Sequence, residues 1–270
     1  MKVEEILALY DEQERRHSSH PSYRRETSRG VVRHVHDDPS RLSFIIYSDL
    51  TEANADEIIE EQISWYKNEV NGAGLEWKTY DHDSPPDLKQ RLAAHGFAQD
   101  EVEALLVLDL QDCPAVYLQP VTADVRRISD PAQLGDVVAV QEAVWGHKFE
   151  WLEKQLRDNM AAQPDFWSIY LAYVDAALVC AAPVCAAPVC AAWVSFPPES
   201  WFAGLWGGAT VAAYRGRGVY TAVVATRAQE AIRRGYRYLM VDASDMSRPI
   251  LEKRGFRLLT HTTPFMWKPG

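Results

Sequence analysis

The sequence predicts an α+β protein of two domains, and two observations lead there. From Val121 onward, alternating apolar runs and runs of helical period follow in the order strand, two helices, three strands, helix, strand, helix, strand. Strands joined by short links come first and a βαβ unit follows, which is an α+β layout. The second observation is Asp112–Pro120, a stretch with Pro114 and Pro120 near its ends that reads as an interdomain connection. The chain of 270 residues then divides into 1–112 and 121–270, both of ordinary domain size.

Glu4 to Arg16 reads as a helix, followed by a polar Ser-, His- and Arg-rich stretch to Arg29. Gly30–His36 and Leu42–Ser48 alternate or run apolar as strands do. Asp56–Glu69 is a helix, with Ile58, Ile59, Ile63, Tyr66 and Val70 on one face. Leu75–Tyr80 is a strand, Pro86–His95 a helix stopped by Gly96, and Val102–Leu110 a strand. In the second half, Val121–Ile128 is a strand, and Asp130-Pro131 supplies a cap and a first-turn proline for a helix to Val144. Trp151–Ala161 is a helix and Trp167–Val174 a strand. The Ala176–Val194 segment holds the returning strand and a repeat of Ala-Ala-Pro-Val-Cys. Phe202–Val211 is a strand, Gly216–Gly235 a helix, Tyr238–Ala243 a strand, Ser247–Arg254 a helix and Arg257–Trp267 a final strand.

A net charge of -10 argues against a nucleic-acid partner, whose phosphates an acidic surface repels on average. Met1–Tyr10 is Glu-rich and amphipathic, not an export signal, so the expected location is the cytoplasm. Two prolines in Ala176–Val194 argue against a membrane span. Cys180, Cys185 and Cys190 recur every five residues, which is not a zinc spacing, and a disulfide framework is not expected. His17, His20, His34 and His36 lie near one another with Asp37 and Asp38, and are expected to be a surface cluster without a metal. No metal is expected anywhere.

The informative stretch begins at Thr210-Val211 and runs through Arg215-Gly216-Arg217-Gly218 into Val219-Tyr220. A strand enters a glycine loop that opens a helix. The first N–H groups of a helix have no intrahelical partner and sit at the positive end of its dipole, so they accept phosphate. Gly216 and Gly218 let backbone approach a ligand closely, and Arg215 and Arg217 add positive charge. There is no Gly-Lys-Ser/Thr of a P-loop, and the glycine spacing is not that of a dinucleotide fingerprint.

With Arg248-Pro-Ile-Leu-Glu-Lys253-Arg-Gly255-Phe256, this stretch resembles the GNAT acetyltransferase superfamily. The resemblance implies two GNAT-like domains, each a mixed, mostly antiparallel twisted sheet flanked by helices. It implies that Arg215 and Gly218 open the helix that cradles the acetyl-CoA pyrophosphate, and that Lys253, Gly255 and Phe256 flank the pantetheine arm. Backbone around Thr210 and Val211 would meet the pantetheine amides. The cofactor set is therefore Thr210, Val211, Arg215, Gly216, Arg217, Gly218, Val219 and Tyr220. The chain departs from the family pattern at Tyr220 (usually Gly or Ala), Ala212 (often Pro), Leu251 (often a Tyr acid) and Ser244 (often Asn). Phe202–Gly208 lacks the usual Glu base.

No catalytic acid or base is therefore assigned. Tyr220, Ser247, Glu142 and His261 are proton-handling candidates that also read as structural. Trp145, Trp151, Trp193, Trp201 and Trp206 lie in or beside elements expected to face the acceptor. Core packing accounts for most of them, leaving one or two to line a pocket that favours a cation or an apolar acyl group. In the first half, Leu75–Tyr80 followed by Pro86–Phe97 parallels Tyr238–Ala243 followed by Pro249–Phe256. Its loop, Leu50–Asp56, is acidic and lacks glycine, so the first copy is expected to be degenerate and the second to bind the cofactor, the alternative for the first half being an unrelated α+β domain. The expected activity is acetyl-CoA-dependent N-acetylation of a small amine by direct transfer, the alternative being a non-catalytic acyl-CoA-binding or regulatory protein.

Overall fold

A computed structural model of the chain describes residues 1–70, 72–174 and 187–269. Cys180, Cys185 and most of the Ala-Ala-Pro-Val-Cys repeat lie outside these. In chain order the first half holds α1 (Val3–Tyr10, continued by a π-helical turn over Asp11–Arg16), β1 (Tyr23–Ser28), β2 (Val31–His36), β3 (Ser43–Ser48), α2 (Ala55–Trp65), β4 (Leu75–Tyr80), α3 (Leu88–Ala94), β5 (Ala98–Gln99) and β6 (Glu103–Asp109). After it come α4 (Ala115–Leu118), β7 (Asp124–Arg127), α5 (Leu134–Trp145), α6 (Glu150–Ala162), β8 (Trp167–Val174), β9 (Ala187–Ser195), β10 (Phe202–Thr210), α7 (Val219–Arg233), β11 (Tyr238–Ala243), α8 (Arg248–Glu252) and β12 (Arg257–Trp267). Among the described residues no helix is long and apolar enough to cross a membrane.

The periodic elements form where spacing dictates. In α2 the buried positions Ala55, Ile58, Ile59, Gln62 and Ile63 follow one helical face. Asp130 caps its turn by accepting from the Ala132 N–H at 2.9 Å. Several elements depart from expectation: β5 is additional to the expected strands, and β7 is shorter than the expected Val121–Ile128. Tyr23–Ser28, read as a polar stretch, is an edge strand paired antiparallel to β2. Its residues are half-buried or exposed, so no apolar alternation marks it. The connection at Asp112–Pro120 contains the short α4, which buries Tyr117.

The chain divides into two compact units, Met1–Val107 with Asp242–Gly270, and Leu108–Val241. In the first, the strands run β1-β2-β3-β4-β12-β6, with β5 beside β12. The β3–β4 pair is parallel and its neighbours are antiparallel. Residues 242–270 group with this unit because β12 pairs with β4 over Thr262–Trp267 and with β6 over Arg257–Thr262. Strand pairing at such sequence distance leaves no local trace. Ile45, Ile58, Ile59, Trp77, Leu92 and Phe265 belong to its core.

The four histidines belong to this unit, where His17 is exposed and paired with Glu12 while His20 and His34 form part of an aromatic stack, His34 being buried rather than on the surface. His34 lies on Phe44 with ring centroids 4.8 Å apart, and His20 meets both edge-on. Burial pushes His34 down to about 4 and His20 down to about 3, from an ordinary value of 6.5. Both rings stay neutral in the folded protein while those of the unfolded chain take up protons below 6.5. Stability is therefore complete above that pH and falls as pH drops toward 4, by up to about 1.4 kcal/mol per histidine per pH unit. His34→Phe, which keeps the stack, is expected to flatten the loss of urea midpoint between pH 6.5 and 4.5. A slope equal to wild type would refute this.

In the second unit the strands run β11-β10-β9-β8-β7. Only β10–β11 is parallel, joined through α7, just as β3–β4 is joined through α2. Helices cover both faces. Ile169, Leu171 and Tyr173 of β8 pack with α5 and α6 residues. The intervening Ser168 and Tyr170 hydrogen-bond Glu230 of α7. Each half also closes a short helix the same way: the Phe97 N–H returns to the Leu92 carbonyl at 3.0 Å, and the Phe256 N–H to that of Leu251 at 3.1 Å.

Candidate cofactor site

All eight sequence-predicted site residues fall on one continuous path in the second unit, from the end of β10 to the start of α7. Parallel pairing with β11 covers only Phe202–Gly204 against Tyr238–Met240, yet β10 continues to Thr210. Along its other edge β10 pairs with β9, and the register slips between Trp206 and Ala209. The slip is a bulge at Gly207-Gly208. Gly207 has φ +59°, and a Cβ there would lie 2.1 Å from the Trp193 ring, so only glycine fits. The Gly207 carbonyl accepts from Gln141 Nε2 at 2.6 Å. Neither the bulge nor Gln141 was legible in the sequence. The Gly207-Gly208 pair was its only signal.

At the strand end Thr210 Oγ1 donates to Cys190 Sγ at 3.2 Å, and the Thr210 carbonyl accepts from Arg215 Nε at 3.0 Å. The Val211 N–H donates to the Val189 carbonyl at 2.9 Å. These backbone groups, expected to meet a pantetheine, are thus engaged within the protein. Ala212–Tyr214 forms one 3-10 turn, and Arg215–Gly218 then runs exposed into α7.

Gly216 and Gly218 have φ of +73° and +81°, and a Cβ at either would meet nothing within 4 Å. The two glycines are therefore required by backbone conformation, with open space beside them. Gly218 is the N-cap of the 15-residue α7, no side chain caps it, and its first turn carries no acid. The positive end of the dipole is left exposed with Arg215 and Arg217 beside it, which suits a phosphate. Arg217 lies over the Tyr214 ring at 5.3 Å. The loop opening α2 is built the other way. Its first turn holds Asp56 and Glu57, and Asn54 Oδ1 accepts the Thr51 N–H at 2.8 Å.

Val219 is buried, and the half-buried Tyr220 ring lies against Gly208. Burial pushes the Tyr220 hydroxyl up despite the opposing charge of Arg227. It is therefore protonated at neutral pH. Arg227, also absent from the sequence-derived set, is wholly buried beneath this site. Its Nη1 donates to the Trp193 carbonyl at 3.1 Å while Nη2 has no partner among the described residues. Burial lowers its pKa, and Tyr220 and Cys190 oppose that. Glu142 is tied to Lys148 at 2.6 Å, a hydrogen bond that holds its carboxyl below the usual range. Ser247 and His261 belong to the first unit, as do Lys253, Gly255 and Phe256. Among the described residues no three His, Cys, Asp or Glu side chains group as a metal site would require.

The equivalent strand opening in the first unit is filled by its own chain. There β3–β4 pairing ends at Ile45–Trp77. Arg15 lies between the rings that follow, 5.6 Å from Tyr47 and 3.7 Å from Tyr80. Its Nε donates to the Ile46 carbonyl at 2.8 Å, and Asp11 and Asp83 pair its guanidinium.

No protein-family model matches the chain, and no curated protein matches it. Solved structures do. A GCN5-related N-acetyltransferase from Kribbella flavida is 16% identical, covering 92% of this chain and 90% of its own, with a TM-score of 0.68. One from Sphaerobacter thermophilus is 14% identical, covering 89% and 78%, with a TM-score of 0.62. A tandem GNAT protein from the clavulanic acid biosynthesis pathway is 13% identical, covering 99% and 88%, with a TM-score of 0.55. Mixed, mostly antiparallel sheets, a parallel strand–helix–strand in each half and similarity across nearly the whole length agree on one result: this chain has the fold of the GCN5-related N-acetyltransferases in tandem arrangement.

Proposed function

We propose that the chain is an acetyl-CoA-dependent N-acetyltransferase that acts on a small amine, with its acyl-CoA site in the second unit. The observation that carries this reading is the N-terminus of α7, uncapped, free of acids, led by two positive-φ glycines and flanked by Arg215 and Arg217. Such an end holds a pyrophosphate through backbone N–H groups. In the first unit, acids at the head of α2 and Arg15 between β3 and β4 oppose the same ligand. The expected stoichiometry is therefore one acyl-CoA per chain.

The reaction is direct attack of the neutral amine nitrogen on the thioester carbonyl. The carbon–nitrogen bond forms, the carbon–sulfur bond breaks, and the proton lost by nitrogen balances the released thiol. Juxtaposing amine and thioester supplies much of the acceleration, so a strong side-chain base is not obligatory. Titration calorimetry with acetyl-CoA, followed by thiol release across a panel of amines, tests the proposal. Binding at one site with amine-dependent thiol release is expected, and absence of acetyl-CoA binding overturns it.

The second reading, a non-catalytic acyl-CoA-binding protein, is favoured by Leu251. This buried apolar side chain stands where the resemblance calls for a Tyr acid. Tight acetyl-CoA binding with no thiol release from any amine would select it.

A further inference from the structure

Two tryptophans beside the β10 bulge are oriented in an unusual way. Trp145, at the end of α5, is 49% exposed, and Trp206, the last residue before the bulge, is 39% exposed. An exposed indole normally turns its N–H to water and buries its ring. Here both N–H groups turn inward to buried acceptors. Trp145 Nε1 donates to Gln141 Oε1 at 3.0 Å, and Trp206 Nε1 to Ser195 Oγ at 3.0 Å. The Trp167 ring, 6.4 Å away, holds Trp206 edge-on. Through its other amide atom Gln141 is bonded to the Gly207 carbonyl, so the pose of Trp145 is tied to the bulge itself.

Exposing apolar ring while spending the polar atom internally costs solvation free energy that a different rotamer would recover. The arrangement leaves two fixed indole surfaces beside the strand that leads into the Arg215–Gly218 loop. Fixed aromatic faces stack flat apolar groups and attract cations, and a protein of net charge -10 draws cations toward it.

We infer that Trp145 and Trp206 bind the acceptor, and that the acceptor is a primary amine carried on a planar apolar body, an arylalkylamine. This rests on the proposed N-acetyltransferase reading for its chemistry, but the binding itself is measurable without turnover. Polar amines of equal charge, such as ethanolamine, lack the surface that the indoles present.

The test is calorimetric titration of 2-phenylethylamine and of ethanolamine into the free and the acetyl-CoA-loaded protein. Phenylethylamine is expected to bind at least about tenfold more tightly, and Trp206→Ala and Trp145→Ala each to weaken it about tenfold. Acetyl-CoA affinity should stay unchanged in both variants. Trp201→Ala, an exposed tryptophan elsewhere on the unit, serves as the control and should bind the amine as wild type does. Because these side chains are exposed, the variants are expected to fold, and circular dichroism checks that they do. Equal affinity for the two amines, or wild-type amine affinity in Trp206→Ala and Trp145→Ala, overturns the inference. Loss of acetyl-CoA binding in the wild type would instead overturn the functional reading, and the free-protein titration would still decide the amine site.

Discussion

Gly218→Glu is expected to abolish measurable acetyl-CoA binding while the protein remains folded. Gly218 caps α7 at φ +81°, and a side chain there enters open space, so no packing is disturbed. The left-handed backbone costs a non-glycine residue about 1–2 kcal/mol, which a chain of this size tolerates. A carboxylate about 4 Å from a bound phosphate adds roughly 4 kcal/mol of repulsion at an effective dielectric of 20, about a thousandfold in affinity. It also captures the N–H groups that the ligand needs. Gly218→Ala carries the same strain without the charge and is expected to weaken binding only a few-fold. Calorimetry on both variants separates the effects. Retained affinity in Gly218→Glu would mean that the phosphates sit elsewhere.

Gly207→Ala should be among the most destabilising single changes in the second unit. Its Cβ would lie 2.1 Å from the rigid Trp193 ring, so either the indole or the strand has to move. Overpacking costs about 1–3 kcal/mol and the positive φ about 1–2 more, a total of roughly 2–5 kcal/mol. At about 2–4 °C per kcal/mol, Tm is expected to fall by about 5–20 °C. Any rearrangement also breaks the Gln141–Gly207 contact that orients Trp145, so amine affinity should fall with stability. The paired control is Gly216→Ala, whose Cβ meets nothing within 4 Å and which should lose only the backbone strain. Equal Tm values for the two variants would refute the steric account of the bulge.

Much of this protein was legible locally. Strands such as Leu75–Tyr80, Trp167–Val174, Tyr238–Ala243 and Arg257–Trp267 were read with their observed boundaries, because alternation and turn residues are local signals. The Arg215–Gly218 loop was legible for the same reason: a strand end, two glycines and a helix start lie within ten residues. Tyr23–Ser28 was missed because an edge strand polar on both faces carries no such signal. The two units follow long-range pairing, chiefly that of β12 with β4, which no window of sequence contains.

The sequence by itself determined that a glycine-led helix start, flanked by Arg215 and Arg217, lies between Thr210 and Tyr220, because glycine conformation and helix initiation depend on adjacent residues alone. Only the tertiary structure decided what surrounds it. Gln141 reaches Gly207, Trp193 covers the bulge, Arg227 lies buried beneath, and Arg15 fills the other unit's opening, each contact joining residues on different elements. Such contacts are set by packing after the chain has folded back on itself, and nothing in the local sequence specifies them.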